Sequence, residues 1–409
     1  MRLLLLIGLL GIGAIVKAQT FAIKADRLID GKSDKEFLNP IIIIYKTRIV
    51  DINFKNHIPD SAQIIDLKGY TVLPGLIDAH THLLLDLHKS GDYEIELYQK
   101  STPYRAIRAV SFLSAALQRG FTTIRDLCTE GAGYSDVDLS KLVDDGTITG
   151  PRIIPSTKGI AATGRYVPRM QNQNWELELP TGAEYVTGVE ECRKAVREQI
   201  SKGAQCIKVF VDWGFPSYKA TISFTIDELR AITDEAKRYN IPLAAHAQSA
   251  EGISLAIKLG FNSIEHGAGF NEILIKDAVE NSTFWCPTLS AFEYNHYENL
   301  NGFYQIINKA YKAGLKIVLG SDIGSFPWTI NQAREVKLLV DKGGLKPIDA
   351  IKSSTYYAAE LLGLKAELGS IEKNYRADII AIKGNPLVDI SILEKVDFVM
   401  KDGKIYKRP

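Results

Sequence analysis

From Phe21 onward the chain runs in short alternating stretches: Phe21-Ala-Ile-Lys-Ala, Ile41-Ile-Ile-Ile-Tyr, Arg48-Ile-Val-Asp-Ile and Ala62-Gln-Ile-Ile-Asp-Leu. Turn residues such as Asp30-Gly31 and Lys68-Gly69 separate them. A period of two with such punctuation predicts strands buried on one face. The same texture returns near the C-terminus in Ala377-Asp-Ile-Ile-Ala-Ile and Val396-Asp-Phe-Val-Met, ahead of Asp402-Gly403. The two ends therefore predict one small β-sandwich module, residues 19–74 with 366–409. Between them, short apolar strands alternate with amphipathic helices. The strand candidates are Thr71–Asp78, Thr122–Leu127, Arg152–Ser156, Cys206–Val211, Pro242–Ala247, Ser263–His266, Thr283–Leu289 and Lys316–Ser321. Helical patterns fit Val189–Lys202, Ile226–Tyr239, Ala250–Leu259 and Glu272–Glu280. Eight strands alternating with helices predict the α/β class, as a (β/α)8 TIM barrel over residues 75–365. A doubly wound open sheet competes, but no Gly-rich phosphate turn follows the first strand. The stretch Pro168–Glu190 has no clear period and is expected as a loop at the catalytic end of the barrel.

Ahead of these elements stands a different pattern. Arg2 precedes an apolar run, Leu3–Val16, which ends in Lys17-Ala18-Gln19. A basic start, a short hydrophobic stretch and small residues before a cut predict a secretory signal, residues 1–18, with Val16 and Ala18 at the −3 and −1 positions. The run falls short of the roughly 20 apolar residues of a membrane-spanning helix. No cysteine follows it for lipid attachment. The expectation is an exported protein, periplasmic or secreted, with no stable membrane anchor once the signal is cut. In an oxidising compartment Cys128, Cys192, Cys206 and Cys286 are able to pair. Three of them lie in or beside apolar strand-like runs, so buried thiols are expected instead.

Composition narrows the class of partner. The 409 residues carry 49 Lys+Arg against 48 Asp+Glu, a formal charge of +1, and losing Arg2 and Lys17 lowers it to −1. Hydrophobic residues make up 46% and charged residues 24%, the ordinary mixture of a globular protein. Disorder, collagen-like repetition and a polytopic membrane protein are excluded. A near-neutral balance leaves no electrostatic footprint for nucleic acid. The cysteines include no CxxC pair, so neither a disulfide framework nor a Cys-type zinc site is expected. A small-molecule partner remains, and homo-oligomerisation is left open.

The chemistry lies at the strand ends. Of seven histidines, His80 and His82 end the first barrel strand, His246 the fifth and His266 the sixth. Residues two apart on a strand share a face, so His80 and His82 point together into the barrel mouth. One such histidine reads best as a satisfied core residue; four at equivalent strand ends read as metal ligands. Asp322 ends the eighth strand in Ile317-Val-Leu-Gly-Ser-Asp, where a buried carboxylate needs a partner. Coordination to a cation supplies one, and a helix N-cap is the alternative. Lys208 stands inside Cys206-Ile-Lys-Val-Phe-Val, in register with Phe210. Burial favours its neutral amine, which is able to add carbon dioxide as a carbamate that bridges two metals. A salt bridge to Asp126 or Asp212 is the alternative.

His-x-His on strand one, Lys on four, His on five, His on six and Asp on eight resembles the amidohydrolase superfamily. More narrowly the chain is similar to its metal-dependent, prolidase-like branch, which includes dipeptidases and ochratoxin-type amidases. The likeness extends to Thr122-Thr-Ile-Arg-Asp-Leu, Gly150-Pro-Arg-Ile, Ala333-Arg-Glu-Val-Lys-Leu-Leu-Val and Gly369-Ser-Ile-Glu with Ala377-Asp-Ile-Ile. The resemblance implies two divalent metal ions, zinc in the first instance. His80 and His82 would hold the more buried ion, His246 and His266 the more exposed one. N6-carboxylysine at Lys208 would bridge them, and Asp322 would be both ligand and catalytic proton acceptor. It implies hydrolysis of a C–N amide bond in a dipeptide or N-acyl amino acid.

Two departures from the relatives' pattern bear on the substrate. Ala162-Thr-Gly-Arg-Tyr-Val-Pro-Arg lacks the histidine common after strand three, and Gln248 replaces a second histidine common after strand five. Arg165, Tyr166 or Arg169 would instead grip a substrate carboxylate, as a guanidinium fork matches carboxylate geometry. Tyr218, Trp213 and His296 are further pocket candidates, while His88 is expected on a helix surface and His57, in the β module, has no expected role. Two other functions compete: a mononuclear cyclic-amide hydrolase or deaminase of the imidazolonepropionase type, and a metal- or small-molecule-binding protein without turnover. Lys208 separates the first of these, because a single metal needs no bridging carbamate. Intact ligands and an intact Asp322 speak against the second.

Overall fold

The computed structural model describes residues 19–55, 57–88, 92–166, 180–214 and 220–409. The signal segment 1–18, Arg169 and Tyr218 lie outside them. Both chain ends enter one eight-stranded sheet. Its central strand, Gln63–Pro74, pairs in parallel with Thr20–Leu28 (Ile65 opposite Ile23) and antiparallel with Ile379–Lys383 (Leu73 opposite Ile380). The N-terminal and C-terminal segments are thereby fastened to the two sides of a single strand. Their inward side chains, among them Ile23, Ile42, Leu67, Ile379, Phe398 and Met400, form a core of their own. Pairing runs as one continuous path through both ends and does not by itself divide the module into the two layers of a sandwich.

The chain passes from this sheet into the α/β part within two residues. Thr71–Asp78, expected as one strand, is divided at Pro74-Gly75: Gln63–Pro74 stays in the sheet and Leu76–Thr81 begins the parallel strands. Proline supplies no N–H for a continuing ladder. A Cβ at Gly75 would collide with the Thr122 side chain, so the close approach to the next strand requires glycine.

Leu76–Thr81, Phe121–Asp126 and Arg152–Pro155 pair in parallel. Ile207–Phe210, Leu243–Ala247, Ser263–His266 and Phe284–Cys286 do the same in a second run. The Gln205 N–H donates to Pro155 O at 2.8 Å and joins the third strand to the fourth. Lys316–Ser321, expected as the eighth strand, makes only bridges. Ile317 pairs with Trp285, the Ala79 N–H reaches Leu319 O at 2.9 Å, and the Asp322 N–H reaches His80 O at 2.8 Å. Backbone bonds thus lead from each parallel segment to the next and back to the first, a TIM-barrel-like α/β fold. Of Pro168–Glu190, expected as a loop, residues 168–179 lie outside the described ones; in the rest, Glu184–Val186 adds to Ile160–Ala162 as a parallel edge, and a helix starts at Gly188. Three residues are too few to show a period, so this edge was silent in the sequence.

The other expected helices form close to their predicted bounds. In Ile226–Arg238, Leu229, Ile232 and Ala236 are buried at helical spacing, and Thr225 with Glu228 closes a capping box at its start. Asn271 caps Glu272–Glu280. All four cysteines are buried and free. Among the described residues no helix is long and apolar enough to cross a membrane.

Candidate metal centre

The parallel strands deliver their terminal residues to one place. His80 and His82 leave the first strand on the same face, with ring centroids 5.3 Å apart. The His80 ring lies 5.1 Å from that of His266, which lies 4.6 Å from that of His246. The four imidazoles therefore form a continuous buried row. Asp322 meets its near end, with Oδ1 3.1 Å from His82 Nε2 and 3.4 Å from His80 Nε2. No helix follows Asp322 directly, so the N-cap alternative is not realised. Asp322 and His266 hold positive φ, 61° and 69°. Left-handed backbone costs a non-glycine residue on the order of 1 kcal/mol or more and concentrates at functional sites.

Lys208 is buried on the fourth strand, its Nζ 5.5 Å from the centroid of the Phe210 ring. Neither aspartate proposed as its salt-bridge partner takes that role. Asp212 accepts from the Gln248 and Ser249 N–H groups and the Ser249 hydroxyl, and Asp126 accepts from the Leu83 N–H. Burial lowers the pKa of Lys208, against the opposing pull of Glu265 and Asp322.

A second set of residues, which sequence reasoning passed over, fixes the ligands from behind. His80 Nδ1 lies 2.8 Å from Glu265 Oε2, and Arg125 donates to Glu265 Oε1 at 2.9 Å and to Ala79 O at 2.6 Å. Ser263 donates its hydroxyl to the same carboxylate. With Nδ1 committed to Glu265, His80 turns Nε2 toward Asp322, and that atom is buried without a hydrogen-bond partner. His266 Nδ1 meets Thr288 Oγ1 at 2.9 Å. Arg125 and Glu265 carried a legible signal, opposite charges at interior strand positions beside the ligands. Glu130 carried none, since tertiary folding alone brings it within 3.4 Å of His82 Nδ1.

Protonation follows from burial. It lowers His80 to about 4 and His266 to about 3, and pushes His246 well below its ordinary value. Three of the four are therefore neutral at pH 7, the form that ligates metals. Burial also opposes charge on His82, but Asp322 and Glu130 outweigh it and lift the group to about 9. Asp322 is held well below the usual carboxylate range, despite burial, by the neighbouring histidines. Ligand atoms of His80, His82 and Asp322 all lie within 4.8 Å of one another. With the unpartnered His80 Nε2, this donor set fits a divalent cation.

The substrate-side candidates divide. Tyr166 stacks on Phe210 at 3.9 Å and lies edge-on to Trp213 at 4.6 Å, and Trp213 lies 5.1 Å from His246. The Tyr166 hydroxyl donates to Glu130 Oε2 at 2.7 Å, so the ring rather than the hydroxyl faces the aromatic group. Arg165 sits partly buried in the same turn. His296, His88 and His57 are exposed and join none of the ring contacts of the centre among the described residues.

A family model described as the amidohydrolase family matches residues 71–406. Ochratoxinase of Aspergillus niger is 32% identical over 375 residues, covering 83% of this chain and 76% of that protein. An imidazolonepropionase of Fusobacterium nucleatum is 25% identical over 409 residues, covering 90% of this chain and 91% of that one. The crystal structure of a Xaa-Pro dipeptidase with methionine in its active site superposes with a TM-score of 0.86 at 33% identity, covering 95% of this chain and all of that one. The chain belongs to the amidohydrolase family, in its prolidase-like branch, and is a hydrolase acting on carbon–nitrogen bonds.

Proposed function

We propose that this protein is an exported, binuclear metal-dependent amidohydrolase that cleaves the amide bond of a dipeptide or an N-acyl amino acid. The observation that carries the proposal is the buried row of four imidazoles, with Asp322 at one end and buried Lys208 on the strand that pairs with that of His246. His80, His82 and Asp322 would hold one cation, His246 and His266 the other, and carboxylated Lys208 would bridge them. Two divalent ions, zinc by family resemblance, would supply Lewis acidity toward a substrate carbonyl and a water molecule. The protein's own groups do the rest. Glu265 and Arg125 fix the tautomer of His80, so its Nε2 lone pair is always presented inward. Asp322 accepts the proton of the attacking water as the C–O bond forms. It returns that proton to the nitrogen as the C–N bond breaks.

The aromatic group of Tyr166, Phe210 and Trp213 beside His246 supports an apolar substituent on the substrate. Arg165 is the described cation nearest in the chain to that group and the candidate for a substrate carboxylate. The proposal includes removal of residues 1–18 on export, and a module of residues 19–74 with 366–409 beside a barrel of residues 75–365. A mononuclear site of the imidazolonepropionase type leaves the burial of Lys208 without a purpose, and the absence of its two proposed salt bridges weighs further against it.

A panel of dipeptides and N-acyl amino acids, assayed with and without a chelator, tests the proposal. Hydrolysis that the chelator abolishes and zinc restores is expected. Activity confined to cyclic amides, or indifferent to the chelator, would overturn it.

A further inference from the structure

Beyond the second strand the chain makes a strained turn, with φ of 103° at Cys128 and 50° at Glu130. The turn presents the Glu130 carboxylate, almost wholly buried, to three groups from three parts of the fold. Tyr93, on the helix Asp92–Gln99, donates its hydroxyl to Oε2 at 3.0 Å. Tyr166 donates to the same oxygen at 2.7 Å. The other oxygen, Oε1, is buried with no hydrogen-bond partner and lies 3.4 Å from His82 Nδ1. The Cys128 carbonyl approaches that nitrogen from the same turn, also at 3.4 Å. Arg105 donates to Thr129 O at 3.1 Å and to Leu84 O at 2.7 Å, and its charge acts on Glu130, offsetting the cost of burying a carboxylate. Gly182 completes the packing, since a Cβ there would collide with the Tyr93 hydroxyl and crowd Glu130 and Tyr166.

A histidine that ligates through Nε2 carries its proton on Nδ1 and needs an acceptor there. Glu130 Oε1 is a carboxylate oxygen in need of a donor, at that edge of His82. We infer that Glu130 is a positioning residue that orients His82 through its Nδ1 edge and Tyr166 through its hydroxyl, so that one carboxylate sets both a metal ligand and a wall of the substrate pocket. The inference rests on the amidohydrolase reading above. It makes a metal-site histidine and a substrate-side ring dependent on the same group, although they come from different barrel loops.

The test measures zinc affinity by competition with a chromophoric chelator, and kcat and KM on the best dipeptide or N-acyl amino acid. Glu130→Gln is expected to weaken zinc binding about 10–100-fold and to raise KM. Tyr166→Phe is expected to raise KM while leaving zinc affinity within about twofold. The double variant should show a KM no higher than Glu130→Gln alone, because both changes break the same link. Glu130→Asp keeps the charge but withdraws the carboxylate by one methylene. It should show both losses in smaller measure, and it carries the test if the Gln variant does not fold. Wild-type zinc affinity in both Glu130 variants, or KM effects that multiply in the double variant, would overturn the inference alone. A wild-type protein that binds no zinc would overturn the metal reading, and this inference with it.

Discussion

On the side of His80, His82 and Asp322, polar groups support polar groups. Glu265 and Arg125 fix His80, the Ser325 hydroxyl donates to Asp322 Oδ2 at 3.0 Å, and Asp78 accepts from the His80 N–H, the Ser321 N–H and hydroxyl, and the Gln332 amide. On the side of His246 and His266 the surroundings are mostly aromatic. Phe210 and Trp213 lie 5.5 and 5.1 Å from the His246 ring, Phe292 lies 6.2 Å from that of His266, and among the described residues the one hydroxyl contact is Thr288. A ring held by a carboxylate has its tautomer fixed before any ligand arrives. A ring held by packing has its plane fixed, and its proton is free to redistribute. The first side is therefore the preorganised one, and the second is the side open to substrate-dependent adjustment.

The largest effect expected from breaking this asymmetry belongs to Asp322. Asp322→Asn removes a proton acceptor from the polar side, and kcat should fall by about 10²–10⁴-fold, with the circular dichroism spectrum unchanged. Full activity of that variant would remove Asp322 from the proton path. Next in size comes a matched pair, one change on each side. Glu265→Gln should weaken zinc binding about 10–100-fold, whereas Thr288→Val should weaken it by less than about tenfold. Equal losses would mean that the two sides are fixed alike.

The smallest effect concerns pH. Burial raises Asp78 from 3.8 to about 6, against the opposing hydrogen bonds of Ser321, Gln332 and His80. A carboxyl raised in the fold keeps a proton that the unfolded chain has already released. Its contribution is favourable at low pH and weakens as pH climbs from 3.8 to about 6. Asp78→Asn should flatten that part of a melting-temperature profile. An unaltered profile would show that Asp78 ionises freely in the fold.

The asymmetry was only half legible in the sequence. The four histidines, Lys208 and Asp322 stand out because each interrupts or ends an apolar strand, where an unsatisfied polar side chain is costly. The same reason made the strand order legible, because a buried parallel strand is a plain apolar run. What escaped depends on contacts between distant segments. Tyr93 and Tyr166 share Glu130 across 37 and 36 residues of chain, and no local period marks that meeting. The break at Pro74-Gly75 was visible as residues, but its reason is the close approach of Thr122. Lys316–Ser321 reads as a strand by composition, yet it makes only bridges to its neighbours.

Zinc content at equilibrium, measured on wild type and on Lys208→Ala against a graded chelator, tests the central claim most directly. Wild type should hold two ions per chain and release them in two steps, and Lys208→Ala should hold at most one, because the bridge between the sides is gone. A wild-type stoichiometry of one or none, or two ions held equally well without Lys208, would contradict the account.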